Sequence, residues 1–353
     1  MKYFELEHEN CKGIYKRGKP YTISIGAGVC FGIMPDWKEL THEVLVKTVD
    51  NTLSKTDFEN ILNNLGWSLD SLLQAALNRQ IENKGSIDEF NEIMQNALYD
   101  SILTNAETYG IKEDLKKFIS DPFRRDNQAI IPLYDFFKKE YGNSSLFKIS
   151  EFLLEAKKMG FPPKAILTFN ADVLLHSLLT LMELKEMNDT VGNTNAADFS
   201  YKAVHHVIES DGHKIPIYHI HGSIVPYIGK RDARENLVFP ENSYHNVTGS
   251  THSWQQSIFQ YYAQRTRMVF IGLSMSDPNI RRWLSHANSV LNQDIINMTG
   301  ERKNTTNHIW VTPKSLSNAE RELKKLGLYH LGIKVAEIDN WTRLKNGMLN
   351  LIS

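Results

Sequence analysis

Two glycines one residue apart, Gly26 and Gly28, close the β-branched run Tyr21-Thr22-Ile23-Ser24-Ile25. The chain then passes Val29, Cys30 and Phe31 to reach Pro35, Asp36 and Trp37, where a partly apolar, helix-compatible segment begins (Trp37, Leu40, Val44, Leu45). Strand, glycine turn and helix in that order make a phosphate cradle. The glycines let the backbone approach a pyrophosphate, and the helix N-terminus offers unpaired N–H groups and a partial positive charge. A complete dinucleotide fingerprint has a third glycine at the sixth position, where this chain has Phe31, with Gly32 one residue later. The stretch alone is therefore open between a nucleotide turn and an ordinary strand-to-helix connection.

Three further apolar runs end in residues that can do chemistry. Ala165-Ile166-Leu167-Thr168-Phe169 leads to Asn170-Ala171-Asp172, Ile215-Pro216-Ile217-Tyr218-His219-Ile220 to His221-Gly222-Ser223, and Met268-Val269-Phe270-Ile271 to Gly272-Leu273-Ser274. An amide donates and accepts at once, and an imidazole with an ordinary pKa of about 6.5 is in large part neutral near pH 7 and can take a proton. Each residue also has a plainer reading. Asn170 alone reads as a helix cap, and a histidine at a strand end reads as a hydrogen-bonded structural residue. His219 and His221 share one side of a strand, so a metal pair with His205 or His206 is conceivable. No carboxylate or cysteine completes that set at usual spacing, and no metal is expected. Cys30 reads as a small apolar residue, not a nucleophile. Trp254, Tyr261 and Tyr262, at near-helical spacing, read as core or interface.

The elements that must position these residues alternate strand and helix, which predicts an α/β fold with a doubly wound, Rossmann-like parallel sheet. Ligands bind such sheets at the strand C-termini, where all four groups fall. Further strands are expected at His308-Ile309-Trp310-Val311 and Ile333-Lys334-Val335-Ala336-Glu337-Ile338, with a closing helix from Trp341 to Ile352. From about Thr41 to Gly160 the signals turn helical. Thr56-x-x-Glu59 and Ser86-x-x-Glu89 fit capping boxes, and a helix is expected around 150–159. The predicted organisation is a catalytic domain of residues 1–48 and 155–353 carrying a helical insert of residues 49–154, the latter read as scaffold, lid or oligomer surface.

Bulk composition narrows the class. The 353 residues, 41% hydrophobic and 23% charged with net charge −1, make an ordinary globular chain with no electrostatic case for nucleic acid or an anionic membrane. Two cysteines, Cys11 and Cys30, cannot build a four-ligand zinc site. The sequence shows no export signal and no membrane-spanning run, so a cytoplasmic location is expected.

The ordered set resembles the sirtuin-like superfamily, whose pattern is Gly-Ala-Gly-x-Ser continuing to Gly-Ile-Pro-Asp-Phe-Arg, then Thr-Gln-Asn-Ile-Asp, His-Gly and Gly-Thr-Ser. This chain has Gly26-Ala27-Gly28-Val29-Cys30, Met34-Pro35-Asp36-Trp37-Lys38, Thr168-Phe169-Asn170-Ala171-Asp172, His221-Gly222-Ser223 and Gly272-Leu273-Ser274 in the same order. It departs at Cys30 (family serine), Lys38 (arginine) and Phe169 (glutamine), and has no cysteine between His221 and Gly272, where deacylases carry a zinc ribbon. With these departures it looks like the zinc-free sirtuin-like domains of bacterial anti-phage systems, which degrade NAD. The Ser274-Met275-Ser276-Asp277-Pro278-Asn279-Ile280 continuation is similar to that branch.

The resemblance implies an NAD glycohydrolase that yields nicotinamide and ADP-ribose. His221 would be the general base on the nicotinamide ribose, Asn170 would hold ribose and water, and Asp172 would contact the carboxamide. Gly26, Ala27 and Gly28 would hold the pyrophosphate, Gly272 and Ser274 a phosphate or the adenosine ribose, with Pro35, Asp36 and Trp37 completing the NAD-binding loop. NAD is then substrate, and no zinc is expected. It further implies gating by homo-oligomerisation or by a partner such as a HerA-type ATPase or an Argonaute-like protein. A non-catalytic NAD or ADP-ribose sensor and a zinc-free deacylase or ADP-ribosyltransferase are the alternatives.

Overall fold

A computed structural model of the chain describes residues 4–6, 19–122, 127–190, 199–205, 212–226, 240–243, 253–300 and 308–352; Cys11 and His206 lie outside them. The strands are β1 (Phe4–Glu5), β2 (Tyr21–Ile25), β3 (Ile166–Thr168), β4 (Tyr201–Val204), β5 (Ile215–His219), β6 (Arg267–Ile271), β7 (His308–Pro313) and β8 (Ile333–Ile338). They form one sheet in the order β1-β8-β7-β6-β2-β3-β5-β4, every described pairing parallel. This is the doubly wound α/β fold with a helical insertion. From β2 the chain builds outward on one side through β3 and on the other through β6, so the switch point of the winding lies between β2 and β6. Ligands of open α/β sheets bind at that point, beyond the strand C-termini.

Strand alternation sorts the apolar side chains to two faces. Ile23, Ile25, Val269, Ile271 and Val311 belong to one core, and Met268, Phe270, Trp310 and Val335 to the other. The helices are α1 (Trp37–Thr48), α2 (Lys55–Leu65), α3 (Leu69–Glu82), α4 (Ile87–Thr108), α5 (Lys112–Ser120), α6 (Ile130–Tyr141), α7 (Ser145–Lys158), α8 (Leu174–Thr190), α9 (Trp254–Arg265), α10 (Pro278–Thr299), α11 (Asn318–Gly327) and α12 (Leu344–Ile352). Phe58, Leu73, Phe90, Ile102 and Phe136 of the inserted helices lie in the same continuous core as Ile23 and Ile25, so the insert and that sheet face bury one apolar volume together. Among the described residues no helix is long and apolar enough to cross a membrane.

Several local expectations move. The box at Ser86 forms with Glu89, but α2 is capped two residues before Thr56, by Ser54 on the Asp57 N–H. α7 begins at Ser145, capped by Ser144, five residues before the expected start, and a boundary at 154 falls inside it. In the glycine stretch α1 starts at Trp37, where the sequence places it. Between β2 and that helix lies a single 3-10 turn, Ala27–Cys30. Gly32, at φ 77°, and Pro35 delay the α-helix until Trp37.

What the glycines do first is let two turns meet. Gly28 N–H donates to the Gly272 carbonyl at 3.0 Å, and Gly26 N–H to Ile271 at 3.1 Å. A Cβ on Gly26 would stand 2.7 Å from the Gly272 oxygen, and one on Gly28 3.0 Å from the Gly272 Cα. Gly272 itself has φ +68°, and its Cβ would lie 2.5 Å from the Val29 nitrogen. A left-handed backbone costs an L-residue about 1–2 kcal/mol before any clash is counted, so Gly272→Ala is expected to lower unfolding stability by at least about 2 kcal/mol. Urea unfolding checks this, and a loss below about 0.5 kcal/mol would contradict the interlock.

Candidate functional site

Above the switch point lies a cleft of about 930 Å³, the upper end of ordinary ligand sites. Gly26, Ala27 and Gly28 form its floor on one side, and Gly272, Leu273 and Ser274 on the other. His221, Phe169, Asp36, Trp37 and Lys38 also line it, with Ser68, Leu69 and Asp70 contributed by the start of α3. The sequence therefore places most of its candidates in one cavity. Asn170 and Asp172 do not line this cleft; with Pro35 they line a separate cavity of about 20 Å³, room for a single water. Ala27 and Trp37 line both, so the two cavities adjoin along these residues.

The cradle is not an open nest of donors. The N–H groups of Gly26, Gly28 and Val29 are taken by Ile271, Gly272 and Gly26 carbonyls. Three helix N-termini reach the cleft: α3 is capped by Ser68 on the Ser71 N–H, and the other two carry carboxylates. Asp36 caps α1 by accepting from Glu39 N–H at 2.8 Å, and Asp277 caps α10 by accepting from Asn279 N–H at 2.7 Å. The expectation of a helix N-terminus with unpaired N–H groups is thus corrected: the aspartate immediately before α1 and that before α10 each take first-turn donors. The cations at the cleft are engaged as well, Lys38 with Glu59 at 2.6 Å and Arg282 with the Asn279 side chain at 2.7 Å.

His221 lies just past β5, 8% exposed, edge-on to Phe169 with ring centroids 5.1 Å apart. Burial pulls its pKa down to about 4, with the Asp277 charge opposing, so the imidazole is neutral at pH 7. His219 faces elsewhere. It stacks on His205 at 5.0 Å, and burial, then His205 and His176, hold its pKa well below the usual value. The two histidines thus have separate surroundings, and among the described residues no three His, Cys, Asp or Glu side chains gather as a metal set.

In the small cavity, Cys30 joins Asn170 and Asp172. Its thiol donates to the Asp172 carboxylate at 3.6 Å and accepts from Asn170 Nδ2 at 3.5 Å. Burial, then the Asp172 charge, pushes the thiol pKa well up, which rules out a standing thiolate. Burial also raises the Asp172 carboxyl, against hydrogen bonds from the Leu174 N–H and Cys30. Asp172, not Asn170, caps α8, accepting from Leu174 N–H at 3.0 Å. Asn170 is 4% exposed, and among the described residues its Oδ1 has no hydrogen-bond partner. An orphaned buried acceptor costs about 1–3 kcal/mol, and such a group marks a place where a ligand or water belongs.

Sequence reasoning missed the clamp on this loop. The Tyr99 hydroxyl, from α4, donates to the Ile224 carbonyl at 2.6 Å and accepts from Val173 N–H at 3.3 Å. Gln95 Nε2 reaches the Pro226 carbonyl at 2.9 Å. Tyr99 reads from sequence only as one more residue of an apolar helix face; nothing in its spacing announces the hydroxyl's task. Trp254 and Tyr262 pack against the second core, while Tyr261 is exposed.

Residues 164–331 match the family model described as the SIR2-like domain. Members of that family use NAD, so the match supports a sirtuin-like, NAD-dependent domain. It covers the Asn170, His221 and Gly272 blocks and begins after the Gly26 turn, which the sheet brings beside Gly272. No curated protein matches the chain.

His176, His221 and His308 all have pKa values pulled down to about 4, and His219 is lowered too. Below an unfolded pKa of about 6.5 the unfolded chain binds these protons and the folded chain does not, so acid favours unfolding. Raised carboxyls act oppositely as pH falls through their raised values, but the four lowered histidines outnumber Glu43, Asp172 and Glu183. The melting temperature is expected to fall steadily from pH 6.5 toward pH 4.5 and to change little from pH 7 to 8. A flat profile between pH 7 and 5 would contradict the buried neutral imidazoles.

Proposed function

Proceeding from a sirtuin-like domain at residues 164–331, we propose that the protein is an NAD glycohydrolase of the zinc-free branch, releasing nicotinamide and ADP-ribose. The observation that carries this reading is the single cleft at the switch point, in which the two glycine turns meet a buried neutral imidazole. The pyrophosphate lies over Gly26, Ala27 and Gly28, with Gly272 and Ser274 toward the adenosine side and Pro35, Asp36 and Trp37 as the covering loop. The glycosidic bond breaks with its electron pair leaving on nicotinamide, and water adds to the ribose carbon with loss of a proton. His221 is the base on the ribose hydroxyls; its neutrality at pH 7 is what that role requires. Asn170 holds ribose and water through its open Oδ1, and Asp172 meets the carboxamide.

Asn170 and Asp172 line the small cavity and not the cleft; on this reading Ala27 and Trp37, which line both, form a wall that moves for NAD cleavage. We read this as the gate of an anti-phage effector acting in the cytoplasm by NAD depletion, released by homo-oligomerisation or by a partner such as a HerA-type ATPase or an Argonaute-like protein. The same wall favours the second reading, a non-catalytic sensor that binds the dinucleotide without cleaving it.

Purified protein incubated with NAD, with nicotinamide and ADP-ribose followed by chromatography, separates these readings. Wild type is expected to cleave, and His221→Ala to lose roughly 10²–10⁴-fold. Equal rates in the two proteins would remove His221 from the mechanism. NAD binding without cleavage, in the presence of the activating assembly, would favour the sensor.

A further inference from the structure

At the opposite end of the sheet from the cleft, where β2 and β6 begin, lies a pocket of about 240 Å³. Arg267 N–H donates there to the Pro20 carbonyl at 3.1 Å, and Tyr21 pairs with Arg267 just as Ile25, before the glycine turn, pairs with Ile271. The pocket is thus a strand's length, roughly 16 Å, from the glycine turns, and it shares no described lining residue with the cleft. Among the described residues it is lined by three cations, Lys19, Arg265 and Arg267, and by no carboxylate. The whole chain is nearly balanced, with 40 basic and 41 acidic residues, so three charges of one sign at one opening are a local excess. Arg265 also lies 5.9 Å from the Tyr261 ring centre. The carbonyl end of α9, which stops at Arg265, sets only about half a negative charge against the three.

His308, the first residue of β7, turns that excess into a site. It lines the pocket while only 4% exposed, and its Nδ1 accepts from the Met268 N–H at 3.1 Å. Burial pulls its pKa down to about 4, and a neutral ring that accepts at Nδ1 carries its proton on Nε2. Among the described residues nothing accepts from that Nε2–H. A buried donor left without an acceptor is costly and marks where a ligand or water belongs. We propose that this pocket binds a small phosphate monoester, its phosphate held by the His308 Nε2–H with Lys19, Arg265 and Arg267, and its organic part against Leu291 and Ile295. Three cations favour a dianion over a carboxylate, which neutralises only one of them, and the arginine fork matches phosphate oxygens. A bare phosphate would leave most of the pocket unfilled and its apolar side, Leu291 and Ile295, uncovered. A dinucleotide needs a space nearer the 930 Å³ of the cleft. The site is independent of NAD cleavage.

Calorimetric titration of the full chain with phenyl phosphate, and with inorganic phosphate beside it, tests the site. Phenyl phosphate is expected to bind one site with a Kd of about 1 mM or tighter, and inorganic phosphate to bind more weakly. Arg265→Glu and Lys19→Glu are each expected to weaken phenyl phosphate at least tenfold. Leu291→Ala is expected to weaken phenyl phosphate and leave inorganic phosphate unchanged. His308→Phe keeps a ring and removes the donor; if it melts as wild type does, it is expected to lose both ligands, and if it does not fold, the two charge variants decide. The titration is repeated with ADP-ribose in excess, which fills the cleft and is expected to leave phenyl phosphate binding as it was. No binding of phenyl phosphate overturns the proposal, as does binding indifferent to both charge variants or binding displaced by ADP-ribose. ADP-ribose that does not bind at all counts against the glycohydrolase reading alone, since the charge variants still locate the phosphate.

Discussion

Everything at the functional end of this molecule depends on the contact between two backbone turns. The turn leaving β2 and the turn leaving β6 touch through Gly26, Gly28 and Gly272, with carbonyl and Cα where side chains would ordinarily stand. Because β2 and β6 are neighbours at the point where the winding reverses, this contact fixes the floor of the cleft. It also fixes the loop that presents Ser274 and Asp277 opposite the loop that presents Asp36 and Trp37. A bulkier residue at any of the three positions would push the strand ends apart and carry the cleft walls with them.

The helical insert takes part in the same construction. Tyr99 and Gln95 tie α4 to the loops after β3 and β5, and the start of α3 supplies part of the cleft wall. One apolar core runs from the inserted helices to the face of the sheet. The loops bearing Asn170 and His221 are therefore braced by helices that a reading of motifs alone sets aside as scaffold.

Much of this was legible in the sequence, and the parts that were not share a cause. The central strands are largely buried and read as apolar or β-branched runs, so β2, β3, β5 and β6 are plain in the chain. β1 and β4, two and four residues long, sit at the sheet edges and carry too little pattern to stand out. Four polar groups at strand ends point to one site, and the cleft gathers most of them. Sequence spacing could not show that Asn170 and Asp172 line a different cavity from His221, because that depends on how side chains from distant segments pack. Nor could it show that Cys30 bonds to both, since a lone cysteine after a glycine turn looks the same whether it is filler or a link. Asp36 and Asp172 each cap a helix, a task that local sequence rules describe well but that the search for ligand contacts obscures.

The narrowness of the space beside Asn170 has a thermodynamic meaning. A space of about 20 Å³ accepts a water and no aromatic ring. A ring-bearing ligand fills that space only in the fraction of molecules whose lining stands displaced, and its apparent affinity is the intrinsic one scaled by that fraction. The packing of the residues around it, Trp37 and Leu40 among them, thereby acts as a dial on occupancy, set before any ligand arrives. Two chains with identical contact residues but differently packed linings would differ in the concentration at which they respond.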